Sequence, residues 1–138
     1  MLESDFLETI KEVISTEQAI HCWVKGFGYG GRYDMIARDV WDNVFLLDFK
    51  SSKKPKLESQ ITGYYEQLSA YWYALEKLHG FKIAYAQDVI VDDQTKQLNI
   101  FRINKEKAKE HFKNFCQKGI NFYQDVIPKI NKDVKFSL

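Results

Sequence analysis

The spacing of apolar residues along the chain predicts three helices. Apolar side chains recur at helical spacing over residues 2–14, 58–79 and 105–127. The second segment carries the clearest signal, because its large apolar side chains fall on one face and Gly80 follows as a typical C-terminal stop. Pro128 ends the third segment. We therefore expect one N-terminal helix and two longer amphipathic helices.

Several further segments have the composition of strands. Residues 44–50 are almost continuously apolar, which is typical of a strand buried on both faces, and residues 33–40 precede them as a predicted hairpin partner. Residues 19–24 predict the first strand, and the glycines at 26–31 predict a turn or a bulge after it. Residues 53–56 include a proline and predict a loop that ends the third strand.

The C-terminal half contains a second predicted hairpin. Residues 81–91 and 98–103 have strand composition and flank a polar turn. The order is then helix, three strands, helix, two strands and helix, which predicts an α/β fold with a mixed sheet of about five strands. Because 138 residues is an ordinary length for one domain, we expect a single domain over residues 1–138.

Three charged residues stand out against these apolar strands. Asp48 and Lys50 are two apart, so a strand places both on one face, and the predicted hairpin brings Asp34 towards them. Charges in such a place are costly unless they pair or bind a metal. Two carboxylates suit Mg²⁺ or Mn²⁺, since hard cations prefer oxygen ligands, and the Phe49 backbone carbonyl between the two side chains is a candidate further ligand.

This arrangement is typical of sites that hydrolyse phosphodiester bonds. A divalent cation stabilises the scissile phosphate and lowers the pKa of an attacking water. We expect Lys50 to position that water, to help deprotonate it, or to neutralise charge in the transition state. An Asp-x-Lys pair is also common as a surface ion pair, and that structural interpretation stays open.

Four short motifs occur in order along the chain. Residues 16–18 resemble the opening of a first core strand, residues 28–34 a Gly-x-x-Asp motif, residues 47–54 an Asp-x-Lys-Thr-Ser motif with Ser51 in place of threonine, and residues 67–71 a Gln-x-x-x-Tyr helix motif. This set resembles the PD-(D/E)XK nuclease superfamily, and most closely its RecB-like branch. That branch includes mitochondrial genome maintenance exonucleases and many phage exonucleases.

The resemblance covers residues 15–103 and implies a fold. The expected fold is a restriction-endonuclease-like core with the order αβββαβ, extended by a further strand and a C-terminal helix. Many relatives also place a further His or Glu ligand in a longer N-terminal region. Glu3, Glu8 and Glu12 are candidates for that role here, and water in its place is the alternative.

The resemblance also implies roles for individual residues. Asp34 and Asp48 correspond to metal ligands, and Lys50 corresponds to the catalytic lysine. Gln67 and Tyr71 correspond to residues that contact DNA or order the site. Their separation of four residues independently places these two on one face of a helix.

Further residues near these motifs are candidates for binding substrate. Lysines at 50, 53, 54 and 56 form a local basic strip, in which Ser51 and Lys53 are expected to contact DNA. Tyr64, like Tyr71, is an aromatic candidate for stacking or DNA contact on the middle helix.

Composition limits the other functional classes. The net charge of +1 gives no global basic signal, so binding of nucleic acid would depend on the local strip. Cys22 and Cys116 have no metal-like spacing and cannot supply the four-cysteine iron–sulfur cluster of some RecB-like relatives. With no apparent signal peptide or membrane-spanning segment, we expect an intracellular protein, in the cytoplasm of a bacterium or of a phage-infected host.

Together these features predict a Mg²⁺- or Mn²⁺-dependent deoxyribonuclease, and an exonuclease rather than an endonuclease. Its expected partner is DNA, as single strands or at ends, and no membrane partner is expected. A homo-oligomer and a place in a larger complex both stay open. The alternative is a module that keeps the nuclease fold but binds nucleic acid or protein without cutting.

Overall fold

The computed structural model describes residues 3–54 and 56–129, in which five strands form one sheet. The helices and strands, in chain order, are α1 (Glu3–Glu8), β1 (Ile10–Val24), β2 (Phe27–Asp39), β3 (Val44–Ser52), α2 (Thr62–His79), β4 (Tyr85–Asp92), β5 (Leu98–Ile103) and α3 (Lys105–Asp125). A short 3₁₀ turn, Glu58–Gln60, precedes α2. The predicted α/β class and the αβββαβ order with an added strand and helix are confirmed.

The strands lie in the sheet in the order in which they occur along the chain. Neighbouring strands are antiparallel except β3 and β4, which are parallel. Parallel neighbours need a long connection, and α2 provides it. The crossover lays α2 across one face of the sheet at its middle strands, where the candidate site lies.

Apolar side chains form two layers, one on each face of the sheet. On one face, Leu46 packs with buried residues of α2 such as Leu68 and Leu75. On the other face, Phe45 and Leu47 pack with Phe6 of α1. The strand β3 is therefore buried on both faces, as the apolar run at 44–50 predicted. Burying this much apolar surface supplies the main driving force for the fold.

The N-terminal helix is shorter than predicted. It ends at Glu8, and β1 begins at Ile10, so the helix predicted over residues 2–14 is wrong beyond its first turns. Two register shifts between β1 and β2, at Ile10/Glu12 and Val13/Ser15, explain the misleading pattern. Each shift changes which face the following side chains occupy, so the apolar spacing along the strand departs from two.

The glycine-rich segment is mostly strand rather than turn. Lys25 and Gly26 make the turn, while the glycines at 28, 30 and 31 lie inside β2 and pair with β1. The predicted turn over 26–31 is therefore wrong except at its start. Residues 16–18 lie in the middle of β1 rather than at its opening.

The remaining predicted elements agree with the structure, with shifted ends. The helix predicted over 58–79 divides into the 3₁₀ turn and α2, and Gly80 ends α2 with a φ of 68°, a left-handed conformation that glycine adopts readily. The strand β4 begins at Tyr85 rather than at 81, and β5 matches its prediction. Pro55 of the predicted 53–56 loop lies outside the described residues. None of the described helices combines the length and the apolar character needed to cross a membrane.

Candidate active site

Three aspartates lie in one row across the middle of the sheet. Asp48 on β3 is directly opposite Asp88 on the parallel strand β4. On the other side, β2 and β3 are antiparallel, and Ile36 pairs with Leu46. Asp34, two residues before Ile36, therefore lies level with Asp48, two residues after Leu46. Because side chains alternate between faces, all three carboxyls point to the face that α2 covers.

Asp34 also contacts the backbone of β3. The Phe49 amide donates a hydrogen bond of 2.7 Å to Asp34 Oδ2. The ladder between β2 and β3 ends at the pair of Met35 and Leu47. The N–H and C=O of one strand residue point to the same side, so the Phe49 carbonyl faces the edge at which Asp34 lies.

Lys50 links the acids to α2. Its ammonium Nζ lies 2.8 Å from Asp48 Oδ2 and donates to Gln67 Oε1 at 2.9 Å. Gln67 Nε2 in turn donates to the Tyr71 hydroxyl at 3.2 Å. The Lys50 ammonium also lies over the Tyr64 ring, 5.1 Å from its centroid, which is within cation–π range. The structure therefore brings the Asp-x-Lys and Gln-x-x-x-Tyr motifs into direct contact.

Gly31 makes room for this network. A Cβ atom on Gly31 would lie 2.6 Å from the Tyr71 hydroxyl, which is closer than real Cβ atoms approach. The missing side chain therefore lets Tyr71 lie against β2, with its hydroxyl within reach of Gln67.

The acids share one electrostatic environment. The pKa of Asp48 is raised to about 6, because burial and the neighbouring Asp34 carboxyl raise it more than the Lys50 ammonium lowers it. Burial, together with the negative charge of Asp48, raises the pKa of Asp88 to about 7. Burial alone would lower the pKa of Lys50, but contact with Asp48 and the charges of Asp88 and Asp34 outweigh it and raise that pKa. Lys50 is therefore an ammonium at neutral pH.

The unsatisfied oxygens of this row fit a cation. Among the residues that the structure describes, Asp48 Oδ2 has no well-aligned hydrogen bond beyond its charge contact with Lys50, and neither Asp88 oxygen has a partner. Within residues 3–54 and 56–129, no three His, Cys, Asp or Glu side chains converge closely enough to hold one ion. A hard cation would therefore take Asp34, Asp48 and the Phe49 carbonyl, with waters at its remaining positions.

Comparison with known proteins identifies the family of this chain. The model of the PD-(D/E)XK nuclease superfamily matches residues 2–132, which is nearly the whole chain. The chain belongs to the PD-(D/E)XK nuclease superfamily. The predicted superfamily is thus confirmed, while the RecB-like branch stays a prediction. A search of curated proteins gives no significant match.

Two solved structures resemble this superfamily member. A protein described as a "putative exonuclease" from Eubacterium rectale superimposes with a TM-score of 0.62 at 12% identity, over 96% of this chain and 50% of its own. The structure of SSO0001 gives a TM-score of 0.47 at 18% identity, over 75% of this chain and 49% of its own. The chain thus spans about half the length of each, and the first likeness supports the fold.

Two of the residues predicted to bind substrate lie beside the acid row rather than in it. Ser51 points away from the Lys50 face of β3 because neighbouring side chains on a strand alternate. Ser51 and Lys53 line a shallow groove together with Tyr64, Lys54 and Lys56. Tyr64 connects this groove to the site, since its ring also contacts the Lys50 ammonium.

Glu8 and Glu12, two of the three candidate N-terminal ligands, do not complete the site. The helix α1 packs on the opposite face of the sheet through Phe6. Glu8 is exposed, and Glu12 pairs with Arg38 at 3.4 Å. The side chain of Glu3 lies outside the described residues.

The acid that the sequence analysis missed is Asp88. It interrupts the apolar strand β4 just as Asp48 interrupts β3, so an aspartate within an apolar run was a usable signal. Nothing local in the sequence, however, places β4 beside β3.

Proposed function

We propose that this protein is a divalent-cation-dependent DNA nuclease, and an exonuclease in particular. The observation that carries the proposal is the convergence of Asp34, Asp48 and Lys50 at one point of the sheet, in a chain whose superfamily consists of nucleases. The described residues form one sheet with its helices, which supports a single domain over residues 1–138.

Asp34, Asp48 and the Phe49 carbonyl would hold Mg²⁺ or Mn²⁺. Such a cation would stabilise charge on the scissile phosphate and make an attacking water more acidic. The fit rests on oxygen donors, on carboxylate oxygens without a partner among the described residues, and on acid pKa values that burial and neighbouring carboxyls raise towards neutral.

In this proposal Lys50 acts mainly as a cation. Contact with Asp48 and the charges of Asp88 and Asp34 raise its pKa, which favours the ammonium over the neutral amine that a base requires. As an N–H donor it can orient that water and stabilise negative charge on the phosphate oxygens. Of the roles open from the sequence, positioning and charge neutralisation are the ones that fit.

The neighbouring surface suits a polynucleotide. Gln67 fixes the Lys50 ammonium, and Tyr71 fixes Gln67. We assign DNA contacts to these two and to Tyr64, whose ring can stack on a base, with Ser51 and Lys53 of the groove meeting the phosphate backbone. The exonuclease assignment and a substrate of single strands or ends draw on the description of the Eubacterium rectale protein and on the resemblance to the RecB-like branch.

A module that binds without cutting is the second candidate. It is favoured by the 2.8 Å contact of Lys50 with Asp48, which could be a purely structural ion pair, and by the lack of three converging acids in the described part of the chain. Both candidates predict binding of DNA, so only cleavage and cation dependence separate them.

The test is incubation with end-labelled single- and double-stranded DNA, with Mn²⁺ or with a chelator. Cleavage should require Mn²⁺, and Lys50→Ala should reduce its rate about 10²- to 10³-fold because a preorganised positive charge is lost. Lys82→Ala is the matched control, since Lys82 is an exposed lysine ahead of β4. The Lys82→Ala protein should cleave DNA at the wild-type rate. A Lys50→Ala protein that cleaves at the wild-type rate would disprove the assignment of Lys50. Wild-type protein that binds DNA without cleaving it would favour the second candidate.

A further inference from the structure

Asp88 is a buried acid whose carboxyl oxygens have no partner in the described part of the chain. Asp88 is 0% exposed, and neither Oδ1 nor Oδ2 accepts a hydrogen bond from residues 3–54 or 56–129. Buried polar groups are almost always hydrogen-bonded, and an unpartnered carboxylate is among the most costly groups to bury. A chain that keeps one at the centre of its sheet has a use for its charge.

The position of Asp88 connects it to the proposed cation site. It pairs in register with Asp48 on the adjacent strand, and both side chains point to the α2 face. Exposure falls from Lys50 through Asp48 to Asp88, with side chains of Lys50 and Asp48 25% and 7% exposed. Asp88 therefore lies behind the Asp48–Lys50 pair, on the protein side of the site.

The balance of charge gives Asp88 its role. Asp34 and Asp48 carry two negative charges, and the Lys50 ammonium cancels one of them. That leaves one negative charge to face a divalent cation, which would leave the partly buried site net positive. With Asp88 ionised as well, the site carries two negative charges, and one divalent cation makes it neutral. Since uncompensated charge in a desolvated site is costly, neutrality favours binding.

We propose that Asp88 is the third acid of the cation site, which it serves through its charge from behind Asp48 and Lys50. This inference rests on the proposed function, because it assumes a divalent cation at Asp34 and Asp48. Asp88 lets the Lys50 ammonium and a divalent cation occupy the site together. It is a positioning residue rather than a ligand, since the three carboxyls do not converge on one point.

The test measures Mn²⁺ binding by titration calorimetry and thermal unfolding in a chelator, both at pH 8, for wild type and Asp88→Asn. The Asn side chain has the same shape without the charge. We expect Mn²⁺ to bind at least about tenfold more weakly, which corresponds to about 1.4 kcal/mol. We also expect a higher unfolding temperature without metal, because the unpartnered charge is gone.

Asp92→Asn is the matched control. Asp92 is a buried acid on the same strand, but its Oδ1 accepts a hydrogen bond from the Gln94 amide at 2.9 Å. This variant should bind Mn²⁺ as wild type does and should gain no stability in the chelator.

The outcomes separate this inference from the proposed function. Tight Mn²⁺ binding by both wild type and Asp88→Asn would overturn the role of Asp88 and leave the nuclease proposal intact. A lower unfolding temperature of Asp88→Asn in the chelator would also overturn it. Wild-type protein that binds no Mn²⁺ would overturn the cation site itself, and the role of Asp88 with it.

Discussion

Asp39 and Asp88 are both fully buried aspartates in the same sheet, but their surroundings differ completely. Asp39 Oδ1 accepts from the amides of Trp41 and Asn43, each at 2.9 Å, and Oδ2 accepts from the Tyr85 hydroxyl at 2.8 Å. Asp88 has no such donor within the described ranges of the chain. Burial acts to raise the pKa of Asp39, but these donors overcome it and lower that pKa, whereas the pKa of Asp88 rises to about 7.

Asp39 stabilises the fold through its hydrogen bonds, whereas burying Asp88 destabilises it. Asp39 closes the β2–β3 turn with hydrogen bonds that are complete within the chain, so its charge stabilises the native state. Asp48 and Asp88 lack such donors among the described residues, and the proposed cation would compensate their charges. In this pair, the acid that lacks donors lies at the proposed site, and the acid with a full set of donors closes a turn away from it.

The strongest test of this difference neutralises one acid of each kind, Asp48 at the proposed site and Asp39 at the β2–β3 turn. Asp48→Asn should reduce Mn²⁺-dependent DNA cleavage about 10³-fold, because a ligand charge and the partner of Lys50 are lost together. Asp39→Asn should instead lower the free energy of unfolding by about 1–3 kcal/mol, because charged hydrogen bonds are weakened. Cleavage assays and urea unfolding, run on both proteins, measure the two effects.

The two variants serve as controls for each other. Asp39→Asn, assayed at a temperature where it stays folded, should cleave at nearly the wild-type rate. Asp48→Asn should remain at least as stable as wild type in a chelator. If both variants lost activity in proportion to lost stability, the division between structural and functional acids would be wrong.

The same comparison predicts a dependence of stability on pH without metal. The pKa values of Asp48 and Asp88 rise from an ordinary value of 3.8 to about 6 and about 7. Between pH 4 and 7 the folded chain therefore holds protons that the unfolded chain has released. The free energy of unfolding should fall as pH rises through this window, by on the order of a few kcal/mol.

Urea unfolding in a chelator at pH 4.5, 6 and 8 measures this slope. Asp39 acts in the opposite direction but at lower pH, because its lowered pKa makes its contribution disappear only below its ordinary range. Asp88→Asn should remove the upper part of the slope. A wild-type protein that gains stability from pH 4.5 to 8 would contradict the raised pKa values.

The sequence could predict the residues of this site that neighbouring segments of the chain bring together, but not the residue that a distant strand supplies. The shared face of Asp48 and Lys50 follows from a separation of two on one strand, and the neighbouring hairpin brings Asp34 to them. Asp88 depends on a parallel pairing of β3 with β4 across the whole of α2, and no local pattern specifies that register.

The prediction of helices and strands has the same limit, since it succeeds only where the pattern within one segment is sufficient. Helix α2 and strand β5 follow from periodicity within one segment, and both were predicted. The start of β1 was missed because its register shifts against β2 give the apolar residues an irregular spacing. The glycines of β2 were predicted to form a turn. Gly31 is instead needed because Tyr71 of α2 approaches it closely, and the local sequence does not show that contact.

The smallest effect that we predict concerns Tyr71, which lies two contacts away from the acids. Tyr71→Phe removes the hydroxyl that accepts from Gln67 Nε2 at 3.2 Å, while Gln67 Oε1 keeps its 2.9 Å contact with Lys50. One neutral hydrogen bond contributes about 1 kcal/mol, so kcat should fall about fivefold with Mn²⁺ affinity unchanged.

Tyr73→Phe is the control for this change, since Tyr73 lies on the same helix, stacked on Phe112 of α3, with its ring centroid 4.3 Å away. Its loss of a hydroxyl should leave cleavage unchanged. Equal rates for Tyr71→Phe and wild type would mean that Lys50 is fixed by Asp48 and Gln67 alone, and that the aromatic end of the helix motif serves packing against Gly31. A fall of several hundredfold would instead mean that the Tyr71 hydroxyl contacts the reacting phosphate itself, and not only Gln67 and the neighbouring DNA.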